Sequence, residues 1–162
     1  MEHRIEISRE RTGLGHPQAA ALIKSAVKRT LDAEGVSEAC EVSVLLTDEE
    51  GIRRVNREFR GVDSVTDVLS FPMNELKPGA FDTGACERDL DSGLLLLGDM
   101  LLCLPRCESQ GEEFGHGFSR EIQYLSVHSV LHLLGYDHVD EGEEKRRMRA
   151  REKAIMGDEE HD

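Results

Sequence analysis

Apolar and polar residues alternate at the start of the chain, where His3-Arg-Ile-Glu-Ile-Ser8 has the period of two of a half-buried strand. Gly13 and Gly15 break that pattern. From Pro17, a residue suited to a first helical turn, Ala20, Leu22, Ile23, Ala26, Val27, Thr30 and Leu31 recur at helical spacing until Gly35 stops them. Glu41–Thr47 is predicted to be a second strand. Thr47 or Asp48 then caps a helix that carries Ile52, Val55, Asn56 and Phe59. Val65–Phe71, closed by Pro72, is predicted as a third strand. Residues 74–93 show no period and hold Pro78, Gly79, Gly84 and Gly93, which points to a long, mobile loop. The run Leu94–Leu104 is apolar without alternation, as suits a central strand buried on both faces. Gly98 within it permits a bulge or the close approach of another group. Cys103 and Cys107 fall in a segment read as strand followed by loop. From Glu112 the pattern is helical through Ile122, Leu125 and Val127 to Leu134, and a charged final helix is expected over Glu141–Met156.

Mixed strands and helices in this order predict an α+β domain: a small mixed sheet of about four strands with helices on both faces. The 162 residues are read as a single domain, with 157–162 a disordered acidic tail. No stretch approaches membrane-spanning length, so a soluble, cytoplasmic protein with no membrane partner is expected. The four cysteines form no CxxC pair and are read as reduced structural thiols. A net charge of −13 argues against general nucleic-acid affinity, and no DNA partner is expected. The sum hides a local cluster, however: Arg53, Arg54, Arg57 and Arg60 share one helix. Such a run forms either a solvated face or a phosphate-binding patch, for which the planar guanidinium fork is suited. Arg53 and Arg57 share a face, while Arg60 ends the helix just before Gly61, a better position for a cleft.

The strongest chemical signal is His128-Ser-Val-Leu-His132-Leu-Leu-Gly135-Tyr-Asp-His138. Residues four apart on a helix lie one above the other, so His128 and His132 can aim at one spot. Gly135 is placed to end the helix in the left-handed conformation, and a reversal there can bring His138 back to the pair. Three imidazoles with a fourth position open are the pattern of a catalytic zinc site on a helix and its following loop, one ion per chain. Imidazole also accepts nickel, copper or iron, so the metal itself stays open. Asp99, expected to be buried, is either a hydrogen-bonded structural carboxylate or a support for a metal-bound histidine, and Asp137 is a second candidate for that support.

In order and spacing, Asn56-Arg-Glu-Phe-Arg60-Gly61, Thr66-Asp-Val-Leu-Ser-Phe-Pro72, Leu97-Gly-Asp99 and the histidine segment resemble the YbeY family of bacterial endoribonucleases. The resemblance covers nearly the whole chain. It implies a metal-dependent, single-strand-preferring endoribonuclease that acts in rRNA maturation, chiefly of small-subunit 16S rRNA, and in ribosome quality control. It places the family's metal ligands on His128, His132 and His138 and its functional arginine on Arg60, with rRNA and the ribosome or its proteins as partners. His128 and Arg60 are then the catalytic candidates, and Arg53 and Arg57 are further candidates for substrate binding. Ser129 departs from the glycine most common in the family. The histidine offsets also match the metzincin protease helix, but that chemistry needs a glutamate where Ser129 stands, to carry a proton to the leaving amine. The residues present favour phosphoryl chemistry over peptide hydrolysis. A non-catalytic, metal-stabilised ribosome assembly factor is the remaining alternative, and the acidic charge suits docking on basic ribosomal proteins.

Overall fold

In the computed structural model, residues 2–137 and 142–157 are described. Strand β1 (Arg4–Arg9) runs parallel to β2 (Cys40–Thr47), with helix α1 (Ala19–Ala33) as the crossover between them. Helix α2 (Glu49–Arg60) follows β2 directly. Its N-cap is Asp48, whose carboxylate accepts from the Gly51 amide, and it ends at Gly61 with φ of 70°. Strand β3 (Val68–Pro72), the two-residue β4 (Glu87–Arg88) and the long β5 (Leu95–Cys103) complete a five-stranded mixed sheet of order β1-β2-β5-β3. β5 is central as expected, parallel to β2 and antiparallel to β3, which forms the outer edge of the sheet.

Helices lie on both faces. α1 and α4 (Gly117–Leu133) pack on one, with α3 (Leu104–Glu113) and α5 (Glu143–Met156) against α4. The main core lies here, among Ile23, Leu31, Val44, Leu97, Leu102 and Leu131. α2 covers the other face, where Ile52 meets Leu69, Leu101 and Cys103. Among the described residues no helix is long and apolar enough to cross a membrane. All four cysteines are free thiols. Burial pushes the pKa of the Cys40 and Cys103 thiols up to about 12 and about 11, so both stay protonated near neutrality.

Three expectations change. The segment after β5 is helix α3, not loop: Pro105 sits in its first turn, and Cys107 and Gly111 are buried against the core. Strand passes into helix with no intervening turn, so the apolar run gives no mark of the boundary. The final helix begins at Glu143; Glu141 and residues 158–162 of the expected tail lie outside the described residues.

Residues 74–93 also hold more structure than an irregular loop. Asn74 donates its amide to Leu96 O at 2.8 Å and accepts from Glu87 N at 2.8 Å. That bond seats β4 against β5, on the edge that β3 uses further along. The pairing is short and its side chains are polar, so no hydrophobic period announces it.

The third change concerns Asp99, which is exposed rather than buried. The register between β2 and β5 shifts by one residue at Leu97-Gly98. Leu95 and Leu97 before the bulge, and Met100 and Leu102 after it, all reach the main core. Asp99 therefore shares the α2 face with Leu101 and Cys103, beyond the part that Ile52 covers. Gly98 has φ of 134°, and a β-carbon there would lie 2.3 Å from Phe71 O, so bulge and close approach coincide at this glycine. Asp99 thus lies on the sheet face opposite α4, which carries His128 and His132.

Candidate metal centre and cleft

Between the free edge of β3 and the C-terminal half of α4 lies a cleft of about 380 Å³. It is lined by Arg60, residues 66–70, Pro72, His128, His132 and Asp137. Its floor is fixed by the packing of α4 on β3. Ser129, wholly buried, and Ser70 share a hydroxyl–hydroxyl bond of 2.6 Å. The position at which a metzincin needs its glutamate thus faces a strand and holds a hydroxyl already engaged. Asp67 is committed as well: its Oδ1 accepts from Val68 N at 2.7 Å and its Oδ2 from Gln110 Nε2 at 3.1 Å.

The imidazoles of His128 and His132 meet on the exposed side of α4, their Nε2 atoms 3.2 Å apart. Each ring is fixed from behind. His128 donates Nδ1–H to Glu152 Oε2 at 2.5 Å, and His132 donates Nδ1–H to the Tyr136 carbonyl at 3.0 Å. Both acceptors lack a proton to give, so both rings carry hydrogen on Nδ1 and turn the Nε2 lone pair toward the other ring. Two lone pairs so close repel unless a cation or a proton lies between them. Two nitrogens bound to one tetrahedral zinc at 2.0–2.1 Å would be about 3.3 Å apart, so the pair fits a shared zinc ion. Among the described residues no group of three potential metal ligands forms. His138, the expected third ligand, lies outside the described residues.

The turn that leads from α4 toward His138 is built as its spacing suggests. Gly135 has φ of 103°, and a β-carbon there would lie 2.2 Å from Leu76 O. Gly135→Ala is expected to cost about 3 kcal/mol, from left-handed strain and a backbone clash combined. That should lower Tm by roughly 10 °C in a thermal melt; an unchanged Tm would show that Leu76 can move aside freely. Asp137, exposed, lines the cleft two residues further on.

Sequence reading missed Glu152 as part of the site; it placed Tyr124 on the helix face of His128 and His132, by its spacing of four, but gave it no partner. Glu152 is 4 % exposed, and its other oxygen, Oε1, accepts from Tyr124 O–H at 2.9 Å. Burial pushes its carboxyl up, but hydrogen bonds and charge from His128, with the Tyr124 bond and Arg149, outweigh that and hold it below the usual glutamate value. Burial and the neighbouring carboxylate push the Tyr124 phenol the other way. The signal available in sequence was only a glutamate at a core-facing position of an otherwise charged helix.

The four arginines of α2 part company in the fold. Arg53 makes a two-pronged bond to Asp63, at 2.7 and 3.2 Å, Arg57 approaches the same carboxylate at 4.0 Å, and Arg54 pairs with Glu10 at 3.4 Å. Neither Arg53 nor Arg57 lines the cleft. Arg60 does, and among the described residues its guanidinium meets a neutral partner, Asn56 Oδ1 at 3.0 Å, rather than a carboxylate. Asn56 is buried and ties the following loop through Ser64 O at 3.1 Å. It thereby sets the direction of Arg60 without neutralising it.

A mixed sheet whose open edge faces two converging imidazoles and an arginine with no carboxylate partner among the described residues is an arrangement suited to a metal ion beside a bound anion. Comparison with known proteins makes the class specific. The family model for endoribonuclease YbeY matches residues 4–159. A curated endoribonuclease YbeY of Clostridium kluyveri is 46% identical over 141 residues, covering 83% of this chain and 85% of its own. That of Clostridium acetobutylicum is 48% identical over 140 residues, with 83% and 84% covered. A solution structure from Thermotoga maritima shares the fold, with TM-score 0.55 and 24% identity over 93% of this chain and 88% of its own. The chain belongs to the YbeY endoribonuclease family.

Proposed function

We propose that this protein is a zinc-dependent endoribonuclease that cuts single-stranded RNA in rRNA processing, chiefly in maturation of 16S rRNA and in ribosome quality control, working in the cytoplasm on ribosomal particles. One observation carries the reading: two Nδ1-anchored imidazoles converge in the cleft that also receives Arg60, the α2 arginine without an acidic partner among the described residues. His128 and His132 would hold the metal, with His138 as third ligand. The chemistry supplied by a bound zinc ion at this place is that of a Lewis acid, polarising a phosphoryl oxygen and making water more acidic.

The chain's own residues do the rest. Arg60 binds the scissile phosphate and offsets the charge that grows on its oxygens as the bond breaks. Asn56 holds that guanidinium in place, so little reorganisation accompanies the reaction. Ser129 and Ser70 satisfy each other and take no proton. A preference for single strands has support next to Arg60 in the chain. Phe59, the residue before Arg60, is 71 % exposed and braced edge-on by Phe71, with ring centroids 5.9 Å apart. An exposed aromatic face beside a phosphate-binding cation suits the stacking of an unpaired base.

The test is cleavage of single-stranded and duplex RNA by zinc-loaded protein, with and without chelator, and analysis of the product ends. Cleavage of the single strand that stops with chelator and returns with zinc is expected. Cyclic phosphate ends would assign the attack to the ribose 2′-hydroxyl, and linear ends to water. RNA binding without cleavage under all metal conditions would replace this reading with that of an assembly factor.

A further inference from the structure

Helix α5 contributes no residue to the cleft lining, yet one of its side chains bonds His128 and the neighbouring one joins a network that ends at His132. The first is Glu152. A carboxylate accepts only, so its Oε2 fixes the hydrogen of His128 on Nδ1. It cannot swing away, because Oε1 is held by Tyr124 O–H and the side chain is buried between α4 and α5. Arg151 acts at two removes. Its Nε donates to Glu34 Oε2 at 2.7 Å, Glu34 Oε1 accepts from Tyr136 O–H at 2.5 Å, and the Tyr136 carbonyl accepts from His132 Nδ1.

We infer that α5 is the positioning device of the imidazole pair: Glu152, locked by Tyr124, sets the tautomer and direction of His128, and Arg151, by holding Glu34 and with it the Tyr136 side chain, more weakly steadies the residue whose carbonyl anchors the His132 ring. The inference rests on the reading of the pair as a zinc site, and it assigns Glu152 as a positioning residue. It also explains how an ionised carboxylate is retained in the packing of α5: its charge is answered by two donors, one of them a ring that becomes more basic at Nε2 in return. Glu34, by contrast, is answered by a cation, Arg151, and its side chain is 5 % exposed.

The experiment compares wild type with Glu152→Gln, Tyr124→Phe and Arg151→Gln in two readouts. One is zinc affinity, by competition with a chromophoric chelator. The other is the tautomer of His128 in zinc-free protein, from its imidazole 15N shifts. In wild type the Nδ1–H form of His128 should dominate before any metal is added. Glu152→Gln should weaken zinc binding by roughly 10- to 100-fold and mix the two tautomers. Arg151→Gln and Tyr124→Phe should weaken binding by smaller factors, and unfolding of the zinc-free proteins should not follow the same order. Should Glu152→Gln fail to fold, Glu152→Asp keeps the charge but withdraws it from Nδ1, and the same direction of change is expected. Glu152→Gln with wild-type zinc affinity, or wild-type His128 with hydrogen on Nε2, would overturn the inference. A wild-type protein that takes up no zinc would instead refute the metal site, and the tautomer measurement would still judge the role of Glu152.

Discussion

His132→Ala is expected to leave a folded protein that no longer holds zinc and no longer cuts RNA. Residues that merely support a metal ligand are typically worth 10–100-fold in affinity or activity, so loss of a ligand should exceed about 100-fold in both. The fold should tolerate the change. His132 is half-buried on the cleft side of α4, while the flanking Leu131 and Leu133 are buried. Metal analysis, RNA cleavage and circular dichroism on the same preparation check the expectation. His128→Ala should behave alike and should also leave the buried Glu152 carboxylate with only one of its two donors, Tyr124, adding a loss of stability that His132→Ala lacks. Full metal content with full activity in either variant would end the proposal that the imidazoles share an ion.

Arg60→Ala separates binding of metal from binding of phosphate. Its zinc content should match wild type, because Arg60 bonds to Asn56 and to neither histidine. Cleavage should fall by about 100- to 1,000-fold, the usual effect of removing one preorganised donor aimed at developing charge. Arg60→Lys should recover only part of this, since an ammonium lacks the planar fork that meets two phosphate oxygens. Arg53→Ala is the internal control: its guanidinium is occupied by Asp63 outside the cleft, so cleavage should change little. Single-turnover kinetics on one RNA substrate would rank the three. Equal losses for Arg53→Ala and Arg60→Ala would mean that the whole helix face, and not one residue, binds the substrate.

What could be read from the sequence follows the range over which the responsible forces act. The spacing of His128 and His132, the cap at Asp48 and the left-handed stop at Gly135 are local matters of helix geometry, and each stands in the structure as its spacing implies. The central place of β5 was legible because a strand covered on both faces must be apolar along its length. Composition could not reveal α3, because a strand that runs straight into a helix gives no polar punctuation between them. The seat of β4 rests on Asn74, and a single polar anchor has no period to detect.

The cleft divides in the same way. By itself the sequence determined that two imidazoles share one helix face, that a glycine turn follows them, and that an arginine ends α2. Only the tertiary structure decided which arginine keeps its charge for a ligand, that Asp99 faces solvent, and that Glu152, 24 positions beyond His128, anchors that ring. The physical reason is that helical spacing is set within one turn of backbone. The partner of a buried carboxylate, the neutraliser of a cation and the phase of a strand beyond a bulge depend on how separate elements pack, and no short window of residues contains that information.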